Sequence, residues 1–239
     1  GGGVIRLRAA GTLLALASRS TRRQPIASCA SLVLHAGAGI EGDIHADALS
    51  PRQLLLAGSP AYAALSLPAH ALRENLLFDF DTACLGSGTV LQIGGQVRLR
   101  MMFQCEACGQ LDTLVPGLAR RIGAGRGMLA RVLAGGVIHV GDPVRDLGVL
   151  EPAWHEDWRE RVRAVLDAVP PGAVVEYRQL ARLAGIQSSY CRAFPRLLAR
   201  LGDGYAAKAV PAQSPVALAR WQGEGLYAQS PIADPGEDP

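Results

Sequence analysis

The sequence predicts an α+β fold, in which a β-rich N-terminal domain is followed by a small helical domain. Residues 1–150 consist of short apolar runs separated by Gly, Pro, Asp and Ser, a pattern typical of strands joined by turns. Beyond Pro152, apolar residues recur at helical spacing, and two helical segments are joined by a short turn, as in a helix-turn-helix. We therefore expect domains over 1–150 and 153–230, followed by a flexible tail over 231–239.

The individual elements are predicted from the same patterns. Apolar runs between turn residues predict strands over 5–8, 31–34, 53–56, 90–93, 96–102, 128–133 and 137–140. Helical spacing predicts helices over 60–67, 69–75, 109–114, 158–169, 177–184 and 188–201. The segment 146–152 is the expected linker between the two domains.

Composition limits the classes of protein that the chain can represent. No apolar run approaches the roughly 20 residues of a membrane-spanning helix. The short run 13–17 is not read as a secretory signal, because its arginines follow it instead of preceding it. Five cysteines, an odd number, indicate free thiols in a reducing compartment, and the cytoplasm is the expected location. Lys208 is the single lysine, which excludes a lysine Schiff base with pyridoxal phosphate in residues 1–150.

A pair of cysteines is the strongest candidate for a chemical site. Cys105 and Cys108 follow an apolar strand directly, and Gly109 comes next. A cysteine that begins a helix can have its thiolate stabilised by unpaired amide groups, and a thiolate is a nucleophile. Packing as a small hydrophobic residue is the alternative, and we assign it to the other cysteines, which are Cys29, Cys84 and Cys191. Zinc binding would need two further ligands at motif spacing, and the sequence has no second paired element.

Several motifs in a fixed order resemble the MOSC family over residues 39–144. They are Gly42-Asp43-Ile44-His45-Ala46-Asp47, Arg73-Glu74-Asn75-Leu76, Cys105-Glu106-Ala107-Cys108-Gly109-Gln110-Leu111, Gly125-Arg126-Gly127-Met128 and Val140-Gly141-Asp142. The resemblance implies a β-barrel that transfers sulfur to, or binds, the molybdenum cofactor (molybdopterin). It also implies that Cys108 is the family's cysteine, the metal ligand if molybdenum is bound, and that Cys105 is an additional thiol found in part of the family.

The remaining candidate residues follow from the chemistry of an anionic phosphorylated pterin. Arginines can hold its phosphate through paired hydrogen bonds, so the predicted cofactor-binding residues are Arg52, Arg73, Asn75, Arg126 and Arg131. His45 is the predicted proton donor or acceptor beside the thiols, and Cys105 could resolve an adduct on Cys108 as a disulfide. The alternatives remain open: each arginine can be a solvated surface residue, and Asp43, Glu74 and Asn75 can bond backbone amides.

The second domain resembles alkylguanine-DNA alkyltransferases and alkyltransferase-like proteins over residues 158–226. The run 169–181 and Arg192-Ala193-Phe194 carry the resemblance, which implies a winged-helix-like fold. It further implies that Tyr177 contacts the DNA backbone and that Arg192 enters the base stack at a flipped nucleotide. No cysteine stands near 205–208, where the family has its acceptor, so alkyl transfer is excluded there.

Charge supports DNA as a partner of this domain, but an alternative remains. Ten basic and four acidic residues lie between Arg159 and Arg220, an excess that suits a phosphate backbone. Pro195 stands where a glycine is usual and is expected to alter the recognition helix. The alternative is a degenerate helix-turn-helix that packs on the barrel or mediates dimerisation.

The sequence therefore predicts a two-domain cytoplasmic protein. Its expected activity is molybdenum-cofactor-dependent reduction or sulfur transfer through Cys108, in detoxification or repair of modified nucleobases, with a sulfur donor or reductase as partner. The competing hypothesis is a non-catalytic DNA-damage-binding protein in which the barrel is structural.

Overall fold

The structure is a computed structural model that describes residues 8–228. The chain divides into two compact units, with the boundary between Asp157 and Trp158. The boundary therefore lies a few residues beyond the predicted position. The predicted tail over 231–239 and most of the predicted strand over 5–8 lie outside the described residues. None of the helices within 8–228 is long and apolar enough to cross a membrane.

The first unit contains eleven strands and two short α-helices. The strands are β1 (Arg8–Ser18), β2 (Ala27–Cys29), β3 (Ser31–His35), β4 (Gly39–Ile40), β5 (Leu54–Gly58), β6 (Leu76–Phe78), β7 (Thr89–Ile93), β8 (Val97–Gln104), β9 (Met128–Ala134), β10 (Gly136–His139) and β11 (Pro143–Val149). The α-helices are α1 (Ser59–Leu65) and α2 (Leu118–Ile122), and 3₁₀ helices cover Thr82–Cys84, Gly109–Thr113 and Gly123–Arg126.

Seven of these strands form a closed β-barrel. They are ordered β11-β7-β8-β9-β5-β6-β1, and β1 pairs with β11 to close the sheet, while β2 pairs with β1 outside the ring. All neighbours are antiparallel except β5 and β6. Strands β10, β3 and β4 form a separate sheet. The expected barrel is therefore observed.

Alternating side chains fill the barrel and cover its outside. In β9, Met128, Ala130 and Val132 belong to the interior core. On β5, Leu54 and Leu56 belong to the same core, whereas Ala57 packs in a second cluster with Leu72, Leu111, Leu118 and Ile122. Burial of each leucine side chain contributes about 1.5–3 kcal/mol. The second cluster explains why the middle strands are apolar on both faces.

Two elements predicted for this unit are wrong. The predicted helix over 69–75 is a series of turns, in which His70 and Arg73 adopt left-handed backbone conformations with φ of 63° and 59°. The predicted linker over 146–152 is largely strand β11, which pairs with both β1 and β7. The residues that follow still belong to the first unit, since Arg100 Nη2 donates to the Pro152 carbonyl at 2.8 Å. The other predicted strands that lie within 8–228 are confirmed with shifted ends.

The second unit consists of short helices and three very short strands. Its elements are α3 (Trp158–Ala168), β12 (Ala173–Glu176), α4 (Tyr177–Ala184), a 3₁₀ helix (Ser188–Ala193), α5 (Phe194–Leu201), α6 (Asp203–Ala206), β13 (Ala209–Val210) and β14 (Ala219–Arg220). Strand β12 is central and pairs in parallel with β13 and β14.

The helices of this unit follow the predicted order of helix, turn and helix. Helix α4 ends at Gly185, whose φ of 72° is a left-handed conformation that glycine adopts without strain. The predicted helix over 188–201 is divided, and α5 begins at Phe194 with Pro195 in its first turn. Proline is tolerated there because the first amide groups of a helix have no partner within it. The recognition helix expected over 188–201 therefore consists of two parts, a 3₁₀ helix that ends just before Pro195 and the α-helix that contains it.

Candidate functional site

The loop that carries His45 is bonded to the end of β1. The buried carboxylate of Asp43 accepts hydrogen bonds from the amide of Arg19 at 3.2 Å and from the amide of His45 at 2.9 Å. The amide of Ile44 donates to the Arg19 carbonyl at 2.9 Å. These bonds bring His45 beside the arginines that follow β1. The backbone-capping role that the sequence allowed for Asp43 is the role observed.

Three arginines lie within electrostatic range of His45. The residue is exposed at the surface, yet partial burial of its ring by neighbouring atoms lowers its pKa below the ordinary 6.5. Asp43 opposes this shift, and the positive charges of Arg19, Arg52 and Arg22 lower the pKa further. We call Arg19, Arg22, Arg52 and His45 the basic cluster. The charged groups that act on His45 are therefore three guanidinium groups and one carboxylate, an excess of positive charge.

Arg52 joins the basic cluster to a thiol. Its Nη2 donates to Cys105 Sγ at 3.6 Å. Cys105 is 8% exposed and follows β8, and its amide donates to the Gly127 carbonyl at 2.8 Å. Of the predicted site residues, the structure therefore brings Cys105, Arg52 and His45 into one site.

Arg131 and Gln53 hold the loop that leads into this site. The buried Arg131 donates through Nη1 to the carbonyls of Ala48 and Ser50, at 3.1 and 2.6 Å. The fully buried amide of Gln53 donates to the Asp47 carbonyl at 3.0 Å. Arg131 was predicted to bind a cofactor, and its observed contacts are with the chain's own backbone.

Cys108 lies at a more accessible position than Cys105. It is partly exposed and precedes the 3₁₀ helix Gly109–Thr113, and its carbonyl accepts from the amide of Leu111 at 3.1 Å. Arg73 Nη1 donates to Gln110 Oε1 at 3.2 Å, which places a predicted cofactor-binding arginine against the same 3₁₀ helix. The expected start of a helix at Cys108 is thus observed, although the helix is of the 3₁₀ type.

Asn75 is used within the protein interior. Its side-chain oxygen accepts from the Leu55 amide at 3.0 Å and its nitrogen donates to the Ala17 carbonyl at 3.1 Å. These bonds join β5 to β1 and engage both polar atoms of the buried amide within the barrel. Asn75 therefore has the backbone-binding role that the sequence left as its alternative.

Arg126 belongs to a buried polar group with Glu74 and Tyr62. Arg126 Nη1 donates to the Leu72 carbonyl, and its buried Nε has no hydrogen-bond partner among the described residues. The Tyr62 hydroxyl donates to the Glu74 carboxylate at 2.6 Å. Burial raises the pKa of both Glu74 and Tyr62, and the nearby charge of Arg126 acts in the opposite direction. The structure shows these groups in the interior, so a ligand role for Arg126 stays a prediction.

Sequence reasoning missed Arg19 and Arg22. Their signal is a group of three arginines, Arg19, Arg22 and Arg23, directly after the apolar run that becomes β1, and the same three argued against a secretory signal. No local motif connects these arginines to His45, because the connection depends on Asp43 folding back onto Arg19.

The other cysteines differ from one another. Burial raises the pKa of Cys29 and of Cys191, as expected of thiols that pack as small apolar groups. Cys84 is exposed, which contradicts its assignment to packing. Among the described residues, no group of three or more His, Cys, Asp or Glu side chains could hold a metal ion.

The predicted DNA-contacting residues of the second unit lie close together along the helices. The half-buried ring of Tyr177 meets Phe194 edge-on at 5.6 Å between ring centroids, and burial raises the pKa of Tyr177. Arg192 is exposed in the 3₁₀ helix Ser188–Ala193. Residues 177–201 contain no acidic residue, and all five of their arginines are exposed: Arg178, Arg182, Arg192, Arg196 and Arg200.

Comparison with known proteins identifies the first unit. Residues 47–145 match the family model of the MOSC domain, so the chain contains a MOSC domain. This range includes Arg52, Arg73 and both cysteines of the pair, whereas Arg19, Arg22 and His45 precede it. The closed seven-stranded barrel agrees with this family.

Solved structures resemble the chain at low sequence identity. The crystal structure of a hypothetical protein is 19% identical with a TM-score of 0.52, covering 81% of this chain and 91% of that chain. YiiM from Escherichia coli is 17% identical with a TM-score of 0.47, covering 77% and 91% of the two chains. The YUAD protein from Bacillus subtilis is 16% identical with a TM-score of 0.47, covering 59% and 94%. No curated protein is significantly similar to the chain.

Proposed function

We propose that the MOSC domain holds an anionic phosphorylated ligand on the basic cluster and binds sulfur or molybdenum through Cys108. The observation that carries this proposal is the hydrogen bond from Arg52, a member of the basic cluster, to Cys105, which stands three residues before Cys108. A site for negative charge and a pair of thiols thus share one side chain. Anion binding beside a thiol is the combination that molybdopterin requires.

The side chains present fit this group. Guanidinium groups bind phosphate through paired hydrogen bonds, and the basic cluster supplies three of them. Thiolate is a soft ligand that suits molybdenum better than oxygen donors do. Cys108 is partly exposed, so its sulfur can accept a ligand without unfolding of the barrel. The bound cofactor would supply redox chemistry, while the chain binds its phosphate and its metal.

The proposed setting is detoxification or repair of modified nucleobases in the cytoplasm. Its support is the occurrence in one chain of this thiol site and an arginine-rich helical unit. A sulfur donor or a reductase would be the protein partner. The same unit lacks an acceptor cysteine at 205–208, so alkyl transfer is not proposed.

The test is native mass spectrometry of the freshly isolated full chain, combined with metal analysis. We expect a bound pterin with molybdenum, or one additional sulfur atom, and we expect Cys108→Ser to lose whichever is found. Cys84→Ser is the matched control, because Cys84 is an exposed thiol away from the pair in sequence. Equal ligand content in wild type and Cys108→Ser would contradict the proposal.

DNA binding by the second unit is the second candidate function. The observation that favours it is the run of five exposed arginines without an acidic residue over 177–201. Each phosphate contact that an arginine makes contributes about 0.9 to the slope of log affinity against log salt concentration. The resemblance to alkyltransferase-like proteins adds Tyr177 and Arg192 as contacts to the backbone and to the base stack.

Salt-dependent binding to duplex DNA tests this candidate. Combined Arg178→Gln and Arg182→Gln substitutions are expected to reduce the slope by about 2, while Arg120→Gln and Arg121→Gln, exposed in the MOSC domain, leave it unchanged. Arg192→Ala is expected to weaken binding to damaged duplex in particular. Equal slopes for both double variants would contradict DNA binding and favour a protein-contact role.

A further inference from the structure

We propose that Cys105 is the resolving thiol of the MOSC site and that Arg52 is its positioning residue. In this reaction the Cys105 thiolate attacks a persulfide on Cys108, forms a Cys105–Cys108 disulfide and releases hydrosulfide. The inference rests on the sulfur-binding form of the proposed function. It gives a structural basis to the resolving role that the sequence suggested for Cys105, and it adds Arg52 as the residue that positions this thiol.

The difference in exposure separates the two roles. Cys108 is partly exposed and can take sulfur from an external donor, whereas Cys105 is 8% exposed and is closed to a bulky one. A thiol that is shielded from external donors but lies three residues from the loaded one is suited to intramolecular attack. Intramolecular attack is favoured by high effective concentration.

Arg52 contacts the sulfur of Cys105 directly. Its Nη2 donates to Cys105 Sγ at 3.6 Å, and the same sulfur donates to the Glu106 carbonyl at 3.7 Å. Arg131 holds the loop before Arg52 through the carbonyls of Ala48 and Ser50. The backbone that precedes Arg52 is therefore held by a residue of the barrel wall.

The chain between the two cysteines permits closure. Three residues span at most about 10 Å, whereas disulfide geometry needs a Cα separation of about 4.4–6.8 Å. Glu106 and Ala107 are exposed and lie in neither helix nor strand, so this link can bend. Cys105 stays in place, because its amide donates to the Gly127 carbonyl at 2.8 Å. The movement is therefore assigned to Cys108 and the start of the 3₁₀ helix Gly109–Thr113.

The reaction balances without an oxidant. The Cys108 thiolate first takes one sulfane sulfur from a polysulfide, which leaves one sulfur shorter, and solvent protonates the resulting persulfide. Cys105 then attacks Cys108 Sγ, so that the bond between the two cysteine sulfurs forms and the bond to the outer sulfur breaks. The outer sulfur leaves with the electron pair as hydrosulfide. Sulfane sulfur is reduced to sulfide, and the two cysteines are oxidised to the disulfide, which an external dithiol reduces for the next turnover.

A single-turnover experiment with inorganic polysulfide on the full reduced chain tests the inference. After excess polysulfide is removed, wild type is expected to release hydrosulfide and to become about 2 Da lighter than the reduced chain, as a disulfide requires. Cys105→Ser is expected to remain about 32 Da heavier, with the added sulfur on Cys108 and no hydrosulfide released. Cys84→Ser, which removes an exposed thiol, is the control and should behave as wild type.

Arg52 is tested by the rate of release relative to the rate of loading. Arg52→Met is expected to slow release about tenfold, as for loss of a charged hydrogen bond, and Arg52→Lys to restore part of the rate. A merely structural role would not be rescued by lysine, and thermal denaturation checks that each variant folds.

Each outcome decides the question. If Cys108 never gains sulfur, even in Cys105→Ser, the sulfur-binding form of the proposed function fails, and this inference with it. If Cys108 gains sulfur but wild type and Cys105→Ser release hydrosulfide at equal rates, the inference alone is overturned. Arg52→Met releasing at the wild-type rate would overturn the assigned role of Arg52.

Discussion

The MOSC domain and the helical unit use arginine in opposite ways. In the barrel, Arg100, Arg126 and Arg131 are buried and donate to backbone carbonyls of the same unit. In the helical unit, the arginines of α4, α5 and the 3₁₀ helix between them are all exposed. Arginine content alone therefore does not indicate a phosphate-binding surface. Whether an arginine is buried or exposed depends on whether nearby carbonyl groups lack another hydrogen-bond donor.

Backbone hydrogen bonding explains the contrast. Long loops pass over the outside of the barrel, and carbonyls such as those of Ala48 and Ser50 have no strand neighbour, so buried arginines satisfy them. The short helices of the second unit satisfy their own carbonyls except at their ends. Arg161 confirms this reasoning, since it is the buried arginine of that unit and donates to Ala184, the last residue of α4.

The largest predicted effect compares an inward with an outward arginine. Arg131→Met is expected to lower the free energy of unfolding by about 3 kcal/mol, because the carbonyls of Ala48 and Ser50 lose a charged donor whose own side chain is buried. Arg196→Met, on the exposed face of α5, is expected to change it by less than about 0.5 kcal/mol. Chemical denaturation of both variants measures this difference. Equal destabilisation by the two substitutions would contradict the difference proposed between buried arginines of the MOSC domain and exposed arginines of the helical unit.

The next effect concerns the buried carboxyl of the barrel. Burial raises the pKa of Glu74 above its ordinary 4.5, so its stabilising contribution is complete below 4.5 and is lost as pH rises through the folded-state pKa. Stability of wild type relative to Glu74→Gln should therefore fall above pH 4.5, with a slope of up to about 1.4 kcal/mol per pH unit. Thermal denaturation across pH 4–8 measures it, with Glu106→Gln as an exposed control. A stability difference between wild type and Glu74→Gln that does not change with pH would contradict the raised pKa of Glu74.

The smallest predicted effect concerns the affinity of the basic cluster for an anion. Because the pKa of His45 is below 6.5, the imidazole is neutral near pH 7 and gains charge only as the solution becomes more acidic. Sulfate, which stays a dianion over this range, should bind about fivefold more tightly once His45 is protonated. His45→Gln should abolish this pH dependence. Calorimetric titration measures it, and His35→Gln, an exposed histidine, serves as the control.

The sequence was informative where local patterns decide the structure. Apolar alternation located β3, β5, β7, β8, β9 and β10, and helical spacing located α1, α3 and α4. The motifs located the MOSC domain and contain His45 and Cys105, and the chemistry of an anionic pterin predicted Arg52; the structure connects these three residues. These successes depend on short-range features that neighbouring residues supply.

The failures depend on contacts between distant residues. The turns at His70 and Arg73 require left-handed backbone conformations that a helical pattern does not indicate. The end of strand β11 has the sequence of a linker, because the strand forms only through pairing with β1, which lies far away in sequence. The role of Arg19 depends on Asp43, and the roles of Asn75 and Arg131 depend on carbonyls far away in sequence. Only the assembled barrel determines which polar residues remain available for a ligand.

Gly127 sets a limit on how this domain can diverge. Its φ is 130°, a Cβ added to it would lie 2.6 Å from the Leu56 carbonyl oxygen, and its own carbonyl accepts the amide of Cys105 at 2.8 Å. Any larger residue would push β5 away from β9 and displace the thiol at the same time. Saturation mutagenesis at this position should therefore tolerate glycine alone, because every other residue would disturb the barrel and the position of the thiol together.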